Sequence, residues 1–186
     1  MRVASLAALL LAAGLVGLRS QPKCGTDRWP VKVWEDADAG TVDTSPRWTT
    51  VRELAALETP EMVYPANGRL APVERQRYRV RAEIARLSTE ADGDWHIILR
   101  DLEDRRRTII AEVPDPRCVK STTLQAVYAA VRDSLRRVPR QGIATVDGIG
   151  FWDFIHTQSG GAANGIELHP VLLVVPEQPT VRRDSR

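Results

Sequence analysis

Apolar and polar positions alternate along residues 75–84. Tyr78, Val80, Ala82 and Ile84 fall on one side, and Arg75, Arg77, Arg79 and Arg81 on the other. That period of two predicts a half-buried strand. Asp92-Gly93 follows as a hairpin signal. The next run, "DWHIILRDL", places Trp95, Ile97 and Leu99 on one face and His96, Ile98 and Arg100 on the other. A charged turn, "EDRRR", leads to a third strand, "RTIIAEVP". The period then lengthens. Leu124, Val127, Tyr128, Val131 and Leu135 form one helical stripe, which Pro139 and Gly142 end. A fourth strand, "GIATVDGIGF", carries glycines that predict a bulge. A loop over 153–165 precedes a fifth strand over 166–175. The string of three strands, one helix and two strands predicts a mainly β fold: a five-stranded OB-like barrel with one helix between the third and fourth strands.

Residues 21–72 show little alternation and read as an extended N-terminal arm packed on the 73–176 barrel domain. The arm holds one short helix: Thr50 as N-cap and Glu53 three residues on make a capping box. Pro60, Pro65 and Pro72 keep the following chain extended. Residues 177–186 are polar and read as a disordered tail. Residues 1–20 change the picture of the compartment. One early Arg precedes an apolar run from Val3 to Leu18, which suits a signal peptide and is short for a spanning helix. A secreted, periplasmic or cell-envelope protein is expected, with a retained anchor as the alternative.

Charge and cysteines refine this. The chain has 26 basic and 24 acidic side chains; residues 1–20 hold Arg2 and Arg19 and no acid, so the remainder balances at zero. That balance gives no support for a general attraction to nucleic acid. Cys24 and Cys118 are the two cysteines, and in an exported chain they read as one disulfide. Its loop of roughly 95 residues corresponds to a stabilisation of about 4–5 kcal/mol in the chain-entropy model.

The elements "CGTDRWPVK", "DADAGTV", "TTVREL", "DGDWHIIL", "VDGIGFWDFIH" and "NGIELHPV" together resemble a set of uncharacterised secreted bacterial proteins. Those proteins carry similar Cys-Gly…Arg-Trp-x-Val-Lys, Asp-Gly-Asp-x-His and Gly-Ile-Glu-Leu-His-Pro elements. The similarity runs from Cys24 to about Leu173. It implies no established activity, and the arginine runs at 75–81 and 105–107 fall outside its pattern.

An OB barrel binds across its second and third strands, between the loop joining strands one and two and the loop joining strands four and five. Here those loops bring Asp92, Asp94 and His96 towards Asp153, His156 and Asn164, with Glu167 and His169 following on the last strand. His96, His156 and His169 are the three histidines of the chain, and their convergence makes them candidate metal ligands. The spacing matches no metal-ligand motif, so structural roles outweigh a metal site. No cofactor is expected; zinc is the metal such a site would take. Arg77 and Arg79, with Arg75, Arg81 and Arg100, form a second candidate surface suited to phosphates or carboxylates, weighed against a solvated face with Glu83, Glu112 or Asp101 pairing across the strands. Asp36, Asp38 and Asp43 lack the EF-hand loop pattern and read as a polar turn. Nucleophile elbow, phosphate loop and dinucleotide fingerprint are all missing from the sequence. The expected function is an exported binding module for an oligosaccharide, nucleic acid or protein. Its alternatives are a metal-dependent hydrolase of phosphodiesters using the histidines, and a structural accessory protein of the cell envelope.

Overall fold

The computed structural model describes residues 23–61, 67–155 and 159–178. The expected leader at 1–20 lies outside them, as does the tail beyond 178. Among the described residues, no helix is long and apolar enough to cross a membrane.

Five strands close into the expected OB-like barrel. They are β2 (Gln76–Thr89), β3 (Trp95–Arg100), β4 (Thr108–Val113), β5 (Ile143–Trp152) and β6 (Ile166–Pro176), and an additional strand, β1 (Asp43–Thr49), lies at the sheet edge. The order around the sheet is β1-β2-β3-β4-β6-β5, and the β2–β5 pairing completes the ring. Alternation explains the core. Val80, Ala82, Ile97, Leu99, Ile109, Ala111, Val146, Ile166 and Leu168 all point inward and are fully buried. The helix α3 (Thr122–Leu135) has Ser121 as N-cap and adds Tyr128, Val131 and Leu135 to the same core. The Tyr128 hydroxyl donates to the Val33 carbonyl at 2.9 Å, tying α3 to the N-terminal segment.

The β2–β3 turn forms where Asp92-Gly93 predicts it. Gly93 has a φ of 91°, in the region open to glycine. The glycines of β5 also act as expected: the β5–β6 register slips at Asp147/Gly148 and again between Gly148 and Gly150. A Cβ on Gly150 would stand 2.5 Å from the Val73 carbonyl oxygen, so only glycine permits this approach.

The N-terminal segment is more ordered than an extended arm. It contains α1 (Trp29–Lys32), β1 and α2 (Val51–Leu54). The Thr50–Glu53 capping box is complete. β1 runs parallel to β2 and adds a sixth strand to the sheet. Its sequence, "DTSPRWT", lacks alternation because the strand is exposed along nearly its whole length. Backbone pairing at an edge holds it, and a proline is tolerated there. Cys24 and Cys118 form the predicted disulfide, with Cα atoms 5.6 Å apart.

Two buried ion pairs order this segment, and the first ties it to the barrel domain. Arg28 donates to both carboxylate oxygens of Glu74, at 2.9 and 2.6 Å, and to the carbonyls of Trp152 and Gly68. Arg69 clasps Asp36 at 3.1 and 2.6 Å. Asp36 is therefore a structural counter-ion inside the protein, where a solvated turn was expected.

Candidate functional site

The outer face of β4, β5 and β6 carries a polar layer beneath α1. Strand alternation puts it there. Phe151, Glu112 and Glu167 lie between inward-facing neighbours and so face away from the core. His96 pairs across from Glu112, and Ile110 pairs with Glu167. His169 follows two residues after Glu167 on β6 and packs edge-on against Phe151, ring centroids 5.6 Å apart. Arg28 and Lys32 also lie over the Phe151 ring, at 4.7 and 5.3 Å from its centroid. The N-terminal segment thus roofs the layer.

His169 sits at its centre and is wholly buried. Its Nδ1 is 3.1 Å from Glu112 Oε2 and its Nε2 is 3.8 Å from Asp94 Oδ2. The shorter contact lies off the hydrogen-bonding direction, and neither ring nitrogen has a hydrogen-bond partner. Asp94 Oδ2, Glu167 Oε2 and His96 Nε2 are likewise buried without a hydrogen bond. Asp94 Oδ1 accepts from the Asp115 backbone N–H at 2.8 Å, which orients the carboxylate. One ligand-type atom from each of Asp94, Glu112 and His169 lies within 4.8 Å of the others.

The electrostatics are dominated by crowded carboxylates. Burial pushes Asp94 up to about 6, against the opposing pull of His169. Burial, reinforced by the charges of Glu112 and Asp153, lifts Glu167 well above the usual carboxylate range. Burial would raise Glu112 as well, but His169, Lys32 and His96 outweigh it and hold that carboxyl low. Lys32 answers the same charges. Burial opposes its ammonium, yet Asp153, Glu112, Glu167 and Asp94 raise its pKa and keep it charged. Its Nζ stands 3.8 Å from Asp153 Oδ1.

Beside this layer opens a cleft of about 350 Å³. Its walls are the Lys23–Thr26 segment, the Glu90–Asp92 turn, and the side chains of Lys32, Glu112 and Asp153. Glu112 is the member shared by cleft and cluster.

The expected site residues divide into two groups. Asp94, His96, Asp153, Glu167 and His169 come together at this layer. Asn164, Arg77 and Arg79 do not. The Asn164 amide donates to the carbonyls of Leu54 and Leu57, clamping α2, and its oxygen accepts from the Ile166 N–H. Arg77 and Arg79 both bind the buried carboxylate of Asp147, with contacts of 2.5 to 2.7 Å. Arg81 pairs with Glu177, and Arg100 with Glu83. The arginines are therefore engaged by acids within the protein, with Arg77 and Arg79 sharing one carboxylate; of the acids expected to pair across the strands, Glu83 does so, with Arg100. His156 lies outside the described residues. Two members were missed from sequence. Glu112 could have been found by alternation, since Ala111 and Val113 point inward. Lys32 had no signal, because its place depends on how the N-terminal segment folds back.

No protein-family model and no curated protein matches the chain. Among solved structures it is similar to a chain described as an aspartyl-tRNA synthetase from Leishmania major Friedlin, at 17% identity and a TM-score of 0.47; the match covers 76% of this chain and 22% of that one. It is also similar to OBody AM3L09, in a structure of that protein bound to hen egg-white lysozyme, at 13% identity and a TM-score of 0.39, over 56% of this chain and 83% of that one.

Proposed function

We propose that the protein is an exported binding module whose ligand enters the cleft beside the His169 layer and presents positive charge or several hydrogen-bond donors. The observation that carries this reading is the charge of that cleft. Glu90, Asp92, Glu112 and Asp153 face Lys23 and Lys32 there, and Lys32 is already engaged by Asp153. A partner rich in carboxylate or phosphate would meet repulsion in such a cleft. The arginines that would suit phosphate are occupied by Asp147, Glu177 and Glu83. A basic peptide segment or an amine-bearing oligosaccharide fits this chemistry better than nucleic acid does. Export is supported by the apolar N-terminal run and by the disulfide, which suits an oxidising compartment.

Arrayed basic peptides, acidic peptides, amino-sugar oligomers and short oligonucleotides provide the test. The basic peptides or amino sugars should be retained, less so at high salt. Glu90→Lys, at a half-exposed rim position that leaves Glu112 and His169 intact, should weaken retention about tenfold by adding like charge. Retention of oligonucleotides alone, or of basic ligands with no response to Glu90→Lys, would overturn the reading.

A further inference from the structure

We infer that Asp94, Glu112 and His169 form a binding site for one divalent first-row metal ion at the floor of the cleft. This rests on the cationic-ligand reading for its access route only; the site itself stands on separate observations.

The first is geometry. The three candidate ligand atoms are all within 4.8 Å of one another. Ligands at about 2.0–2.2 Å from a zinc ion stand roughly 3–4 Å apart, so rotamer-scale adjustment brings them into range. The three residues come from the β2–β3 turn, β4 and β6: Glu112 pairs with His96 in the β3–β4 ladder, the Asp94 carbonyl accepts the Glu90 N–H across the turn, and His169 lies where the β5–β6 register slips.

The second is the state of the polar atoms. Nε2 of a wholly buried imidazole and one oxygen of Asp94 have no hydrogen-bond partner, and Nδ1 makes only a misaligned 3.1 Å contact with Glu112 Oε2. Buried polar atoms in folded proteins are nearly always satisfied, and several orphans facing one another mark the place of something that binds them. The Asp115 N–H occupies Asp94 Oδ1 and leaves Oδ2 turned to the ring, as an outer-sphere partner of a metal ligand does.

The third is charge. Asp94, Glu112, Asp153 and Glu167 crowd around one lysine. A dication there would offset their mutual repulsion. One imidazole with two carboxylates favours zinc or a neighbouring first-row ion over calcium and magnesium, which take oxygen ligands. Glu112 borders the cleft, so water or a ligand atom can complete the coordination from that side. The competing arrangement is a metal-free triad, with His169 set between Asp94 and Glu112.

The experiment uses chelator-treated full-length protein titrated with Zn²⁺, Mn²⁺ and Ca²⁺ by calorimetry, with Co²⁺ absorption as a second readout. Zn²⁺ should bind at one ion per chain, and Ca²⁺ at least tenfold more weakly. Co²⁺ should develop the visible bands of a low-coordinate nitrogen and oxygen site. Glu112→Gln and Asp94→Asn keep side-chain shape and should lower Zn²⁺ affinity at least tenfold, while the metal-free variants melt within a few degrees of the parent. Absence of stoichiometric Zn²⁺ binding by the parent protein would overturn the inference, as would equal affinity in both variants. Failure here with basic ligands still retained in a Glu90-dependent way removes the metal and leaves the cleft. Zn²⁺ binding without any retained basic ligand removes the cleft reading and leaves the metal.

Discussion

Asp101 shows how one carboxylate can hold two parts of this chain together. It accepts three backbone N–H groups at 2.9 Å: Arg52 in α2, and Glu103 and Asp104 in the β3–β4 turn. Burial opposes its charge, but those bonds prevail and lower its pKa from 3.8. Hydrogen bonds to an ionised group contribute about 1.5–3 kcal/mol each in favourable settings. Asp101→Asn turns an amide N–H against one of these donors, and should cost about 1–3 kcal/mol at pH 7. Because the folded-state pKa is depressed, the contribution is present above the unfolded-state value and fades as pH falls through the folded one. The gap between the urea midpoints of parent and variant should therefore begin to narrow below about pH 4, the unfolded-state value, and keep closing as pH falls through the lower folded-state one. A gap of equal size at pH 7 and pH 3 would show that the charge of Asp101 plays no part. The residue scale is also where sequence reasoning was weakest. His169 and Asp94 stood out because histidine is rare here and Asp-Gly-Asp is a turn signature. Glu112 drew notice only as a partner for arginine, and no arginine pairs with it among the described residues.

At the scale of elements, α1 and the 3₁₀ turn at Val73–Arg75 meet through Glu74. Glu74 is fully buried and accepts from Arg28, from the Trp152 N–H at 2.8 Å and from the Leu70 N–H at 2.6 Å. Removing one partner of a buried pair leaves the other charge uncompensated, at a cost of about 3–5 kcal/mol. Glu74→Ala should therefore lose that much stability in guanidinium titration. Glu74→Gln, which keeps an acceptor for the backbone, should lose less. Near-parent stability for Glu74→Ala would mean that Arg28 finds water instead. What was legible at this scale follows from local rules. Alternation over 78–84, the Asp92-Gly93 turn, the helical stripe ending at Leu135 and the Thr50 capping box each depend on residues close in sequence. β1 was not legible: its backbone is held by β2 and its side chains face solvent, so no burial pattern is imprinted on it. The Arg28–Glu74 and Arg69–Asp36 pairs span 46 and 33 residues, and nothing local announces them.

At the scale of the whole molecule, barrel closure brings sequence-distant turns to one rim, and the disulfide sets how firmly that rim is roofed. Cys24 and Cys118 are separated by 94 residues and join the start of the N-terminal segment to the turn before α3. Closing a loop of that length stabilises by about 4–5 kcal/mol through the unfolded chain. The same bond fixes the Lys23–Thr26 wall of the cleft. Two effects should therefore separate in a Cys24→Ser, Cys118→Ser protein. Global stability should fall by roughly that loop-closure amount, read from denaturant midpoints with and without reductant in the parent. Local opening should also rise. The amide of Val33, which bonds to the Trp29 carbonyl at 3.0 Å, should exchange faster than the β2–β5 ladder amides, since α1 would then be held by Arg28, by the Tyr128 contact to Val33 and by the packing of buried Val31 and Val33, without the covalent tie. If both sets of amides accelerate by the same factor, the bond acts through the unfolded state alone and the roof over His169 is set by packing.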